Sequence, residues 1–180
     1  MPTPLVVLIA ANGQPELLRR TLQSFTTCAK PAGYCGVVVI ENGPRAGLEN
    51  VVASFSTDHQ FRYLYSAAAN KSRALNLALQ MHADALALFT DSDIQIPPET
   101  LLAYSRAASG RQRGEFYGGP IIPDYECDAP PDWLRKFLPR SAGGWQWPVA
   151  MKTEIHQPEF IGPNMAAFAA DILEIGRAHV

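Results

Sequence analysis

Residues 85–94 read ALALFTDSDI. The first five are apolar, the right length and character for a buried strand. Directly after them come two aspartates one residue apart, Asp91 and Asp93. A strand alternates its side chains, so the two carboxylates share a side if the extended geometry persists beyond Thr90. Carboxylates brought together repel. Protonating one relieves the repulsion, and so does a cation. At neutral pH a hard divalent ion is the simpler answer. Mg2+ or Mn2+ suits carboxylate oxygens, and Mg2+ is often held by one or two carboxylates plus substrate phosphates. No His or Cys cluster lies nearby to suggest zinc. The plain alternative is a turn or helix cap, which Asp and Ser also favour. A bare Asp-x-Asp also occurs by chance in many chains.

Position strengthens the metal reading. LVVLIAA (5–11), GVVVI (36–40), FRYLY (61–65) and ALALF (85–89) read as four strands, each apolar on both faces. Between them the period turns helical. Leu17, Leu18, Thr21, Leu22, Phe25 and Cys28 fall near one face of a helix opened by Pro15. Leu48, Val51, Val52 and Phe55 point a second helix inward, and Leu75, Ala78 and Leu79 a third, with Asn70 or Ser72 near its start. A fourth helix spans 96–108, and 114–123 gives a fifth strand and a break. Such alternation predicts an α/β fold, a mostly parallel sheet with helices on both faces. The first, second and fourth strands end in NGQ, ENG and TDSD. Open α/β sheets bind ligands at that edge, near the topological switch point.

After Pro120 the texture changes. Residues 123–159 are rich in Pro, Trp and charge, with one helical stretch at PDWLRKFL. Such a long excursion suits a wall or cover for a site. Residues 160–170 are apolar again, and DILEIG predicts a closing helix. The whole reads as one domain. Its first half, 1–122, is the ligand-binding sheet, and 123–180 begins a second, incomplete region. The 180 residues are 47% hydrophobic and carry a net charge of −2, which points away from broad nucleic-acid or membrane-surface binding. Cys28, Cys35 and Cys127 form no CxxC pair and read as free thiols of a reducing compartment. The first apolar run follows no basic segment and is too short to span a bilayer. The expected location is the cytoplasm, the inner face of the membrane included.

The motifs resemble those of family 2 glycosyltransferases. LVVLIAANGQPELLRRTLQSF is similar to that family's opening strand and helix, and VVVIENGP to its second strand. NKSRALNLAL resembles its Lys-x-x-x-Leu-Asn segment, ALFTDSDIQIPPETL its Asp-x-Asp strand and following helix, and FIGPNMAAFAADILEIG its Gly-x-Asn-Met segment. Each is weak alone, but here all five stand in the family's order, over residues 4–123 and 160–176. The resemblance implies a Rossmann-like GT-A fold. It also implies inverting transfer of a sugar from a nucleoside diphosphate-sugar to a saccharide or lipid-linked acceptor, as in cell-envelope polysaccharide synthesis, with Mn2+ or Mg2+.

By the same resemblance, Asp93 ligates the metal, and Asp91 contacts the ribose or supports the metal shell. Glu41 stands where relatives carry an Asp that recognises the nucleotide, one methylene shorter. Ala10 and Ala11 replace a Thr and a Tyr that contact the base, leaving backbone contacts; Asn12 holds the turn. Lys71 and Arg73 supply positive charge near the phosphates, Lys71 as the residue that matches the family segment and Arg73 with a solvated helix face as its equal alternative; Asn76 lies near the site or faces water. Asn164 and Met165 line the donor sugar pocket. Trp133, Trp145 and Trp147 form either a sugar-stacking wall or, the preferred reading, packing of the excursion. His59, His82, His156 and His179 lack metal spacing.

Inverting transfer needs a general base. The family places that carboxylate beyond its Gly-x-Asn-Met helix. No residue of this chain matches it, Glu154 and Glu159 included, and the ending GRAHV departs from the family's continuation. The chain therefore reads as a family member truncated at its C-terminus. A non-catalytic nucleotide-sugar-binding module is one rival. A sugar-phosphate nucleotidyltransferase is another, but AANGQPE lacks the glycine-rich basic loop that holds a triphosphate.

Overall fold

The computed structural model describes residues 2–55, 60–110, 113–125, 128–145 and 162–175. Six strands form one sheet: β1 (Leu5–Ala11), β2 (Tyr34–Asn42), β3 (Phe61–Ser66), β4 (Leu86–Thr90), β5 (Phe116–Gly118) and β6 (Met165–Phe168), in the order β3-β2-β1-β4-β6-β5. The first four run parallel. β6 runs antiparallel to both its neighbours, β4 and β5. A strand at 165–168 was not expected from the sequence, where these residues read only as a return to an apolar pattern.

Alternation along the strands sorts the core into two layers. Leu5, Val7, Ile9 and Ala11 of β1 face α1 (Pro15–Thr26), α2 (Leu48–Ala53) and α4 (Thr100–Ala107), meeting Leu18, Leu22, Phe25, Leu48 and Leu101. Val6 and Leu8 face α3 (Lys71–Met81) and α7 (Ala169–Ile175), meeting Leu75, Leu79 and Ile172. β1 and β4 are buried on both faces because helices cover both. The predicted inward faces of the first three helices are buried except at Leu17 and at Phe55, which lies past the end of α2; both are half-buried. Among its described residues the excursion carries two single-turn helices, α5 (Asp132–Arg135) and α6 (Arg140–Gly143), and Ile121 bridges to Trp145.

Glycine decides the geometry at β2. Its register against β1 slips between Leu5↔Tyr34 and Val6↔Gly36, leaving Cys35 as the extra residue. Gly36 has φ 107°, and a Cβ there would lie 2.4 Å from the Gln60 carbonyl oxygen. Only glycine lets the two chains approach so closely. Cys28 is buried, Cys35 is exposed, and both are free thiols; Cys127 lies outside the described residues.

Candidate functional site

The chain passes from β1 outward to β2 and β3, then returns across β1 to β4. The switch point therefore lies between β1 and β4, and a crevice should open beyond their C-terminal ends. Each β-strand end contributes. β1 ends at Ala10 and Ala11, in register with Ile40 and Glu41 of β2. Asn12 follows, exposed, and the turn continues through Gly13 (φ 72°) and Gln14 (φ 57°). A left-handed glutamine is uncommon, and such backbone tends to collect at functional edges. The antiparallel β6 starts at this same edge, because its first residue Met165 pairs with Phe89 near the end of β4. The fold thus brings the ends of β1, β2 and β4 and the start of β6 to one rim.

The acidic pair does not continue the strand. β4 ends at Thr90, and Ser92 and Asp93 form a turn. Asp91 is one-third exposed, and the Lys71 ammonium donates to its Oδ1 at 2.6 Å. Lys71 is the first residue of α3, and Asn70 caps that helix by accepting from the Arg73 backbone N–H at 2.8 Å. The cap fixes where α3 begins and so aims Lys71 at the end of β4. Asp93 is exposed and has no hydrogen-bond or ion-pair partner among the described residues. No group of three or more His, Cys, Asp or Glu side chains gathers among the described residues. The protein offers two carboxylates there, oxygen donors of the kind that suits Mg2+ or Mn2+. A hollow of about 470 Å3 lies elsewhere, lined by Arg19, Arg20 and Gln23 of α1 and by Gln95 and Ile96.

Glu41 is 1% exposed. Its Oε1 accepts from the Ala46 N–H and its Oε2 from the Tyr63 hydroxyl, both at 2.5 Å. Asn42 is buried beside it and donates to the Ala11 carbonyl at 3.0 Å, tying the ends of β1 and β2. Asn164 is equally engaged: its Oδ1 accepts from the Tyr104 hydroxyl at 2.6 Å and its Nδ2 donates to the Pro120 carbonyl at 2.8 Å. Gly119 has no room for a Cβ, which would lie 2.5 Å from Asn164 Nδ2. Trp133 is 65% exposed, whereas Trp145 is held against Ile121 by paired backbone hydrogen bonds. Trp147, His59, His156, His179, Glu154 and Glu159 lie outside the described residues. The sequence reading missed Tyr63, Tyr65, Arg45 and Tyr104. The two β3 tyrosines left a signal, since they alternate in FRYLYS and so share a face.

Residues 5–112, more than half the chain, match the model of glycosyl transferase family 2. The chain belongs to that family. No curated protein matches the sequence significantly. Its fold is GT-A. It is similar to S. aureus TarS 1-349 in complex with UDP, with a TM-score of 0.68 at 14% identity, covering 96% of this chain and 49% of that one. The mannosyltransferase PcManGT from Pyrobaculum calidifontis, in complex with GDP-Man and Mn2+, superposes with a TM-score of 0.61 at 18% identity, covering 98% and 49%. TarS 1-349 in complex with UDP-GlcNAc gives 0.67 at 12% identity, covering 96% and 47%. This glycosyl transferase family 2 chain thus spans about half the length of those structures. Among its described residues no helix is long and apolar enough to cross a membrane.

Proposed function

We propose that the chain carries the donor side of a glycosyltransferase. The enzyme would move a sugar with inversion from a nucleoside diphosphate-sugar to a saccharide or lipid-linked acceptor of the cell envelope, on the cytoplasmic side. Residues 1–122 serve the donor, and 123–180 begin the acceptor side. One observation carries the reading: Lys71 and Asp91, far apart in sequence, meet at 2.6 Å at the switch-point rim. That rim offers a cation and carboxylates together, the combination that a diphosphate and its counter-ion require.

Asp93 and Asp91 would hold Mn2+ or Mg2+, whose chemistry is to stabilise the negative charge that the leaving nucleoside diphosphate gains. Lys71, already poised on Asp91, supplies a second positive charge to the same oxygens. The β1 end at Ala10 and Ala11 and the exposed Asn12 that follows it would offer backbone to the nucleoside, and the β2 end at Glu41 borders them. Asn164 and Met165 bound the donor sugar from the start of β6. The complexes of similar proteins with UDP, UDP-GlcNAc and GDP-Man with Mn2+ support this class of ligand.

Titration with UDP and GDP, with and without Mn2+, tests the reading. Binding should strengthen at least tenfold with Mn2+, and Asp93→Ala should remove that gain while leaving the thermal midpoint within a few degrees. Equal Mn2+-dependent binding by Asp93→Ala and the unaltered chain would refute it.

A further inference from the structure

The β2–α2 loop, residues 43–47, is held from the sheet at three points. Tyr65 donates its hydroxyl to the Gly43 carbonyl at 3.0 Å. The Arg45 guanidinium stacks over the Tyr65 ring, 4.0 Å from its centroid. The Ala46 N–H donates to Glu41, whose other oxygen takes the Tyr63 hydroxyl. The two tyrosines repeat one geometry. Tyr63 is in register with Val39 and Tyr65 with Glu41, and each hydroxyl reaches the residue two positions further along the chain, Glu41 in β2 and Gly43 just past it. Gly43 itself (φ 90°) turns the loop close to Ala69 and toward Asn12, where a Cβ would lie 3.1 Å from the Ala69 Cβ and 3.6 Å from Asn12 Nδ2. The pinned loop is therefore the wall next to the end of β1.

We infer that Glu41 is a positioning residue, which acts on the nucleotide through the 43–47 loop it fixes and does not itself read the base. The inference deepens the donor reading above and rests on it. Its physical basis is occupancy. The carboxylate is buried, and each oxygen already accepts a strong donor. A base edge could reach it only after the Ala46 or Tyr63 bond opened. Length matters too: glutamate reaches across the loop to the fifth residue ahead, where an aspartate falls a methylene short. Pre-organising a binding loop raises affinity by lowering the ordering cost on binding, and that gain is the same for any base.

Two measurements on Tyr63→Phe and Glu41→Asp, with the unaltered chain alongside, test this. The first is ligand-free amide hydrogen exchange. Exchange across 43–47 should quicken about tenfold or more in both variants, while β1 and β4 stay protected. The second is Mn2+-supported affinity for UDP, GDP and ADP, which should fall by a similar factor, about three- to tenfold, for all three. Unchanged exchange at 43–47 overturns the latch. A loss confined to one base overturns the positioning role and makes Glu41 a direct reader. If the unaltered chain binds no nucleotide while exchange responds as expected, the donor reading fails and the latch stands. Tyr63→Phe removes one hydroxyl and folds even if the glutamate variant does not.

Discussion

Asn164 engages its backbone carbonyl and both ends of its side-chain amide with its neighbours. Its backbone carbonyl accepts from the Gly119 N–H at 3.1 Å, and its side chain joins Tyr104 of α4 to Pro120. Removing the side chain takes the nearer of two acceptors from the buried Tyr104 hydroxyl, leaving it the Asn164 backbone carbonyl at 3.1 Å, and strips the Pro120 carbonyl of its amide donor. Asn164→Ala should cost about 1–3 kcal/mol in urea unfolding, and Tyr104→Phe, which leaves only one acceptor unmet, about 1 kcal/mol. Gly119→Ala should be worse than its exposure suggests, because its Cβ would sit 2.5 Å from Asn164 Nδ2. At this scale the sequence was partly legible. Lys71 and Asp91 could be placed at one edge because each stands at an element's end. The networks of Glu41 and Asn164 could not, since both depend on register across strands and on hydroxyls supplied from β3 and α4.

The elements show the same division. β1, β2 and β4 announce themselves as buried apolar runs bounded by turn residues, and α1 and α3 by their inward faces. β6 does not. Its four residues, MAAF, include two alanines, which have little intrinsic preference for strands. It becomes a strand because β4 and β5 leave a row of backbone groups to be paired. The start of α3 offers a sharp test of an element's role. Asn70→Ala removes its cap and should cost about 1 kcal/mol of stability. Because Lys71 is the next residue, the same change should also weaken Mn2+-supported UDP binding, measured by calorimetry. At β2, Gly36→Ala should cost about 2–4 kcal/mol, since a Cβ 2.4 Å from a backbone carbonyl forces the β2–β3 pair apart.

Across the whole molecule, pH exposes how the interior treats its tyrosines. Burial first, and then its hydrogen bond to Glu41, pushes the Tyr63 phenol up to about 12. Burial raises Tyr104 and Tyr34 as well. The folded state therefore keeps these phenols neutral after the unfolded chain begins to ionise near pH 10. Above that point the unfolded chain binds fewer protons, so stability is intact below about pH 10 and falls as pH rises toward 12. Tyr63→Phe should make that decline shallower. Histidine acts at the other end. Burial, helped by the charge of Arg62 and opposed by Asp84, lowers His82, so the unfolded chain takes up its proton first and stability falls on acidification below about pH 6.5. Urea midpoints across this range would check both limbs. The sheet as a whole has one further property. The chain leaves it beyond β5 at Gly119 and rejoins it at Asn164, and these two residues are hydrogen-bonded to each other. That bond closes a neck at the edge of the sheet, so a foreign segment grafted between the two residues, or a protease nick, should leave the rim of β1, β2 and β4 in shape. Under the proposed function, such a graft would alter the acceptor side without rebuilding the side that holds the nucleotide.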